Sequence, residues 1–344
     1  MPILTLPQIG RRLKVGRGQT LLDAALDAGI PFPHSCHSGR CGACKSHLIE
    51  GSVTLGTHTR FALTEQERNQ GLILACRAVP DSDVTVAWID GEYAVLAHRI
   101  ISQAAKVISI DAVTHDIRRI LLALEDRAAF TFSPGQYIRL SVDGAPPRDY
   151  SLANLPGSEH LELHIRAVPG GRASTRITQE LRVGDIVRID GPFGSAFLRE
   201  EHRGPIIAVA GGSGLAPIKS IVGAALRKDP SRTVHIYFGG RSLRDIYLTD
   251  YFRSLVSNHP NANYHAVLSD VVVPGWRSGY VSDAMVEDYT RVAGAKVYAA
   301  GPPPMIDAVY AAAQSLGVEK RDVHSDIFFT PSREGAKVLE EVQP

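Results

Sequence analysis

Cys36, Cys41, Cys44 and Cys76 are all the cysteine in the chain, and their spacing points to a chemistry. The first three lie in Cys36-His-Ser-Gly-Arg-Cys41-Gly-Ala-Cys44, a C-x4-C-x2-C pattern, and the fourth follows in Leu72-Ile-Leu-Ala-Cys76-Arg77. Four thiolates at this spacing suit a plant-type [2Fe–2S] cluster, which moves one electron at a time. A tight loop must wrap such a cluster, and Gly39 and Gly42 accept positive φ without a Cβ clash. Three other uses of the thiols fit less well. Two disulfides need an oxidising compartment, and the start of the chain shows no basic segment followed by an apolar core. A structural zinc site shows paired knuckles, whereas Cys76 stands alone. A Rieske centre needs two His ligands; Cys44-Lys-Ser-His47 offers one C-x2-H, but no C-x-H precedes it, and His34-Ser-Cys36 runs in the wrong order.

A second chemistry is suggested by Ala210-Gly211-Gly212-Ser213-Gly214-Leu-Ala-Pro217. Glycines where a strand meets a helix let the backbone approach a pyrophosphate, whose charge the helix N-terminus favours. Any α/β protein can carry such a turn, so it gains weight only beside a redox cluster. A third set is Arg148-Asp-Tyr150-Ser151: an Arg pairs with phosphate, a Tyr stacks on a planar ring, and a Ser hydroxyl bonds a ring nitrogen. By itself it would equally suit a strand edge. Gly170-Gly171-Arg172-Ala-Ser174-Thr175 adds glycines, a cation and two hydroxyls at the start of a helical stretch, which suits a second pyrophosphate.

These residues need three kinds of scaffold. Residues 1–90 read as strand, helix, cluster loop and returning strands, a β-grasp. Thr20 N-caps Leu21–Ala28, Gly29 stops it, and Asp83–Trp88 alternates as a last strand. Residues 91–98 read as a linker. From 99 to 203, short alternating runs at 105–110, 117–122, 136–142, 161–166 and 185–189 are separated by Pro- and Gly-rich turns, the pattern of an antiparallel barrel. From 204 to 330, strands at 206–210, 234–238, 264–268 and 296–299 alternate with helical stretches near 216–227, 246–257, 282–289 and 303–316, the pattern of a doubly wound sheet. The charged segment 331–344 lacks a period and reads as a flexible tail.

Composition narrows the classes further. The 344 residues carry 37 basic and 36 acidic side chains, a net charge of +1, which gives no electrostatic support to nucleic-acid binding. No apolar run is long enough to span a bilayer, and a cytoplasmic protein is the expectation. Between Ala28 and Ile49 there is no Asp or Glu, while His34, His37, Arg40, Lys45 and His47 fall there. The cluster rim is therefore expected to be electropositive, either balancing the anionic cluster or steering an acidic partner.

The order of plant-type ferredoxin, R-x-Y-S barrel and G-G-x-G domain resembles the one-chain reductases of bacterial aromatic-ring oxygenases. Thr114-His-Asp-Ile-Arg-Arg119, Ser133-Pro-Gly-Gln-Tyr137, His164-Ile-Arg-Ala-Val-Pro-Gly-Gly-Arg172 and Gly191-Pro-Phe-Gly-Ser-Ala-Phe-Leu-Arg199 are most similar to the naphthalene dioxygenase and salicylate hydroxylase type. The resemblance implies a multidomain α+β chain: a β-grasp [2Fe–2S] ferredoxin domain, an FAD-binding β-barrel and an NAD-binding α/β domain. It implies that Arg148, Tyr150 and Ser151 bind the flavin of FAD, that Arg166, Gly171, Arg172, Ser174 and Thr175 line its ribityl and pyrophosphate, and that Phe328 lies near it. Gly211, Gly212, Ser213, Gly214 and Pro217, with Gly301 and Pro302, would hold the nicotinamide dinucleotide. Asp245 would favour a free ribose hydroxyl and Arg241 or Arg244 a 2′-phosphate, which points to NADH with some use of NADPH. Many members of the family carry Cys-Gly before the Pro, near the nicotinamide; this chain has Ala300-Gly301-Pro302. No side chain is needed as an acid, base or nucleophile, and His115 and His164 read as strand or turn residues. The implied electron acceptor is a Rieske-type terminal oxygenase or a small ferredoxin. A di-iron hydroxylase or a deoxysugar dehydration system is the alternative, and a cluster-based redox sensor belongs to a different class.

Overall fold

A computed structural model of the chain describes residues 1–34, 39, 42–59, 62–89 and 98–328. Cys36, Cys41, His37, Arg40, most of the expected linker and the expected tail lie outside the described residues.

The N-terminal unit runs β1 (Ile3–Leu6), β2 (Arg11–Lys14), α1 (Leu21–Asp27), β3 (Lys45–Glu50), β4 (Val53–Leu55), α2 (Glu65–Asn69), β5 (Leu72–Leu74), β6 (Ala78–Pro80) and β7 (Val84–Trp88). Five strands form one sheet in the order β2-β1-β7-β3-β5, with β1 and β7 parallel, and β4 pairs with β6. Thr20 caps α1 by accepting from the Asp23 N–H, and Leu21, Leu22 and Ala25 go fully into the core. Among the described residues, that core is built only from this unit, from Leu4 to Trp88. The sequence reading missed β1 and α2, both too short to show a period.

The second unit carries β8 (Ile101–Ala112), β9 (Ile117–Leu124), β10 (Tyr137–Ser141), β11 (Arg148–Ser151), β12 (Leu161–Arg166), α3 (Arg172–Thr175), a π-turn (Arg176–Glu180) and β13 (Ile186–Phe193). Its strands lie in the order β11-β10-β13-β8-β9-β12, and a single Leu152–Leu163 bridge brings the two ends together. Alternate residues such as Ile120, Leu122, Ile138, Leu161, Leu163 and Ile165 fill the interior, as the pleat requires.

The third unit runs β14 (Ile206–Gly211), α4 (Leu215–Lys228), β15 (Val234–Gly240), α5 (Thr249–Ser257), β16 (Ala262–Leu268), β17 (Arg277–Ser278), α6 (Val281–Asp288), β18 (Lys296–Gly301), α7 (Pro303–Ser315) and β19 (Val323–Ile327). The sheet is parallel, in the order β17-β16-β15-β14-β18-β19. Successive residues of β14 feed opposite cores: Ile206, Ala208 and Ala210 face one layer of helices, Ile207 and Val209 the other. Ile117 and Leu198 of the barrel join the first of these cores. The helical stretch read from residue 246 begins only at Thr249, because Leu243–Asp245 makes a 3-10 turn closed by a Ser242–Asp245 capping box.

Candidate redox site

The described thiols are brought together by strand pairing. Lys45 of β3 sits opposite Leu74 of β5, which makes Cys44 and Cys76 neighbours at the ends of those strands. Both are buried. The Cys76 N–H points at Cys44 Sγ, 3.5 Å away, the kind of amide–sulfur contact that tunes a cluster. Gly39 and Gly42 have φ of +72° and +75°. A Cβ on Gly42 would sit 3.0 Å from the Ala62 carbonyl, so this loop has no room for side chains there. Two enclosed soft donors, an amide aimed at sulfur and a glycine-lined loop fit a [2Fe–2S] cluster.

Among the described residues, the expected cationic rim is reduced. Lys45 is largely enclosed and its Nζ lies 2.7 Å from Glu67 Oε1. Glu67 also closes the capping box of α2 with Thr64. Burial by itself would raise the Glu67 carboxyl, but the bonds from Lys45 and Thr64 outweigh it and hold it at about 2. The absence of acid between Ala28 and Ile49 missed this partner because α2 folds back from later in the chain. His34 is buried as well, with Nδ1 2.6 Å from the Phe32 carbonyl. Its ring meets Phe193 and Tyr137 of the barrel edge-on, at 5.6 Å and 6.1 Å. His47 stays exposed.

The dinucleotide residues gather where the parallel sheet reverses its order. β14 leads to β15 on one side and borders β18 on the other, and the crevice beyond such strand ends is where α/β sheets take ligands. Gly211 and Gly301 end these two strands. A Cβ on Gly214 would lie 2.0 Å from the Ala300 carbonyl oxygen, and one on Gly211 2.7 Å from Met305 Sδ. Pro217 stands in the first turn of α4 and Pro302 caps α7. The Phe328 N–H donates to the Gly301 carbonyl at 2.9 Å, which brings the late aromatic to the same rim. Asp245 is not presented to the crevice as expected. It is buried, and its oxygens accept from the Ser242 N–H at 2.9 Å and from Arg241 at 3.1 Å. Arg244 is exposed.

On the barrel, Ser151 Oγ donates to Asp326 Oδ2 of β19 at 2.8 Å, tying β11 to the parallel sheet. Tyr150 is half-buried, and burial pushes its hydroxyl pKa well up, so it stays protonated. Arg148 is exposed. Arg166 Nε donates to Asp116 Oδ2 at 2.7 Å, and its Nη1 lies 3.2 Å from where a Gly212 Cβ would be. A cleft of about 750 Å³ is lined by Gly170, Gly171, Arg172, Thr175 and Arg176, together with Asp143, Gly144 and Glu180. Ser174 turns inward, taking the Val168 N–H at 3.0 Å, and a Cβ on Gly171 would strike its hydroxyl at 2.6 Å. Glycine backbone, a hydroxyl and two guanidinium groups around an open cleft suit a diphosphate.

Sequence reasoning missed what lies between barrel and parallel sheet: Glu162, Lys219 and Tyr247. A usable signal was present in β12, where Leu161, Leu163 and Ile165 alternate with Glu162, His164 and Arg166. Glu162 and His164 on the second face are buried too, which an isolated barrel would not tolerate.

Comparison with known proteins agrees with this division of labour. Residues 4–81 match the model of the 2Fe-2S iron-sulfur cluster binding domain, residues 104–197 the oxidoreductase FAD-binding domain, and residues 208–311 the oxidoreductase NAD-binding domain. Fold and site together define an NAD(P)H-dependent oxidoreductase that uses FAD and a [2Fe–2S] cluster. The reductase component of the naphthalene 1,2-dioxygenase/salicylate 5-hydroxylase systems of Ralstonia sp is 38% identical over 331 residues, covering 95% of this chain and 98% of that one. The reductase subunit of an aromatic O-demethylase of Amycolatopsis sp. is 37% identical, covering 94% and 97%. The crystal structure of an Amycolatopsis cytochrome P450 reductase superposes with a TM-score of 0.83 at 35% identity, covering 96% and 100%. The chain belongs to the family of iron–sulfur flavoprotein reductase components of oxygenase systems. Among the described residues no helix is long and apolar enough to cross a membrane.

Proposed function

We propose that this reductase draws electrons from NADH, and less readily from NADPH, and delivers them singly to the terminal oxygenase or small ferredoxin of an aromatic-ring hydroxylating system in the cytoplasm, where thiols stay reduced. The observation that carries the reading is the physical continuity of three sites in one chain. The cluster loop abuts the barrel through His34, and the barrel's Ser151 is bonded to Asp326 of the dinucleotide sheet.

Domain limits at 1–90, 99–203 and 204–330 fit this division. Cys36, Cys41, Cys44 and Cys76 are the proposed cluster ligands. Arg148, Tyr150, Ser151, Arg166, Gly171, Arg172, Ser174, Thr175 and Phe328 are the proposed FAD residues. Gly211 to Gly214, Pro217, Gly301 and Pro302 are proposed for the dinucleotide, with Arg241 at its ribose end, where buried Asp245 holds that arginine and does not itself reach the ribose. When bound, FAD supplies the exchange between hydride and single electrons. The chain's own work is positioning: α4 presents its N-terminus to a pyrophosphate, Gly214 lets the turn after β14 pack directly on Ala300 of β18, and Ser151 holds the barrel to the sheet.

Delivery to a cytochrome P450 is a second reading, favoured by the similarity to the Amycolatopsis reductase over nearly its whole length. Mixing NADH-reduced protein with a Rieske oxygenase, with and without its small ferredoxin, and with a P450 separates the two by which acceptor is reduced.

Two outcomes test the donor side. A fragment beginning at Arg99 is expected to keep FAD and reduce ferricyanide with NADH but lose cytochrome c reduction; undiminished cytochrome c activity would show that the cluster is not the exit. The kcat/KM for NADH is expected to exceed that for NADPH, and a strong NADPH preference would overturn the assignment of the ribose end, where exposed Arg244 could meet a 2′-phosphate.

A further inference from the structure

A buried polar chain crosses the boundary between barrel and dinucleotide unit, and no step of electron transfer uses it. Lys219 Nζ of α4 lies 2.6 Å from Glu162 Oε2. Glu162 Oε1 lies 2.9 Å from His164 Nε2, with Arg119 Nε at 3.5 Å. His164 Nδ1 lies 3.0 Å from the Tyr247 hydroxyl. That hydroxyl lies 3.4 Å from the Gly212 carbonyl oxygen. The His164 side chain is wholly enclosed, and its ring meets Tyr247 edge-on at 5.3 Å.

The protons can be placed. Burial works to raise the Glu162 carboxyl, but His164, Lys219 and their hydrogen bonds overcome it and hold it at about 2. Glu162 is thus an ionised acceptor at neutral pH, and His164 must point an Nε2–H at it. Burial lowers the pKa of His164 despite Glu162. The ring is then neutral, and Nδ1 accepts from Tyr247. The phenol proton has two acceptors in reach, His164 Nδ1 and the Gly212 carbonyl, and is shared between them as a three-centre bond.

The Gly212 peptide is the first of the glycine-rich turn, at φ +57°, where no side chain resists a peptide flip. Its carbonyl faces Tyr247 and also takes the Leu215 N–H. Because a trans peptide carries C=O and N–H on opposite edges, fixing this carbonyl toward Tyr247 fixes the Ser213 N–H away from it.

We propose that Tyr247, oriented by His164 and Glu162, is a positioning residue for the dinucleotide: it holds the Gly212–Ser213 peptide in the one orientation that offers its N–H to an anionic pyrophosphate. The proposal rests on the reading of this turn as the dinucleotide site. It also makes nicotinamide-donor affinity depend on how the barrel sits against the sheet, since Glu162 and His164 belong to one and Lys219, Tyr247 and Gly212 to the other.

The test is Tyr247→Phe in the full-length holoprotein, with ferricyanide reduction followed over a range of NADH and direct NADH binding measured by calorimetry. Loss of one hydrogen bond is expected to raise KM and Kd for NADH roughly fivefold, with the loss in kcat/KM carried by KM and the flavin absorption unchanged. His164→Leu should do the same, whereas His164→Gln, whose amide both donates and accepts, should restore much of the affinity. Wild-type KM and Kd in Tyr247→Phe, with only a lower melting temperature, would show that the chain merely glues two domains and would overturn the proposal. Wild-type protein that fails to bind NADH would overturn the reading of the turn itself, and this proposal with it.

Discussion

Cys76→Ser protein will retain FAD and NADH-dependent ferricyanide reduction while losing its cluster and its one-electron output. The residue is buried beside Cys44 at the end of paired strands, so no outside thiol can replace it. Serine offers a hard, weakly acidic oxygen where iron needs a thiolate. Even an outer partner of a metal ligand is worth 10- to 100-fold, so loss of the ligand itself should lower cytochrome c reduction by about 100-fold or more. Iron and acid-labile sulfide should fall together, and the visible absorption should reduce to that of flavin. A full complement of native-like cluster in the variant would remove Cys76 from the ligand set. Because the N-terminal core, among the described residues, draws on none from the other units, the flavin-dependent activity reports the folding of the barrel and the parallel sheet, and the far-UV circular dichroism of the variant must be checked separately for the N-terminal unit.

The second large effect is expected at Gly214. Its backbone is helical, φ −59° and ψ −13°, so alanine would cost nothing in conformation. The cost is contact: the new methyl would lie 2.0 Å from the Ala300 oxygen and 2.5 Å from its carbonyl carbon. Both are backbone atoms of a central strand and cannot rotate away. Relief requires α4 and its leading turn to move off β18, at about 2–3 kcal/mol or more. For a unit of this size that is a fall in melting temperature of roughly 5–10 °C. NADH-driven reduction of every acceptor should fall with it, because the displaced turn is the one proposed to hold the pyrophosphate. Gly223→Ala in the same helix is the control: its Cβ would meet side chains rather than backbone, Leu155 at 3.1 Å and the Tyr251 hydroxyl at 3.6 Å, and relief of glycine's entropy should leave it neutral or slightly stabilised. Equal stability and equal NADH kinetics in the two variants would remove the close approach of the glycine turn to β18 from the account of the site.

Much of this was legible in the sequence because local chemistry and period agreed. Leu161–Arg166 and Ile206–Ala210 read as strands from their pattern alone and are strands. The cysteine spacing placed Cys44 and Cys76 in a common site, and the two glycines of that loop have the positive φ assigned to them. What stayed hidden depends on partners distant in sequence. Glu67 neutralises Lys45 from 22 residues away, and Asp326 engages Ser151 from 175 residues away. Asp245 looked like a ribose acceptor until the 3-10 turn folded its carboxylate onto Ser242. His164 read as an ordinary strand residue because the side chains that complete its surroundings belong to a different unit.

The distribution of the cores has an evolutionary consequence. Residues 4–88 bury their apolar side chains among themselves and touch the barrel through aromatic edges around His34, whereas Ile117 and Leu198 are packed into the core of the parallel sheet. Recombination at the junction near residue 98 would therefore cut through little shared core, while a break near residue 204 would split one. Lineages descended from such a gene could exchange or relocate the electron outlet as a cassette. The hydride-accepting pair would be inherited whole.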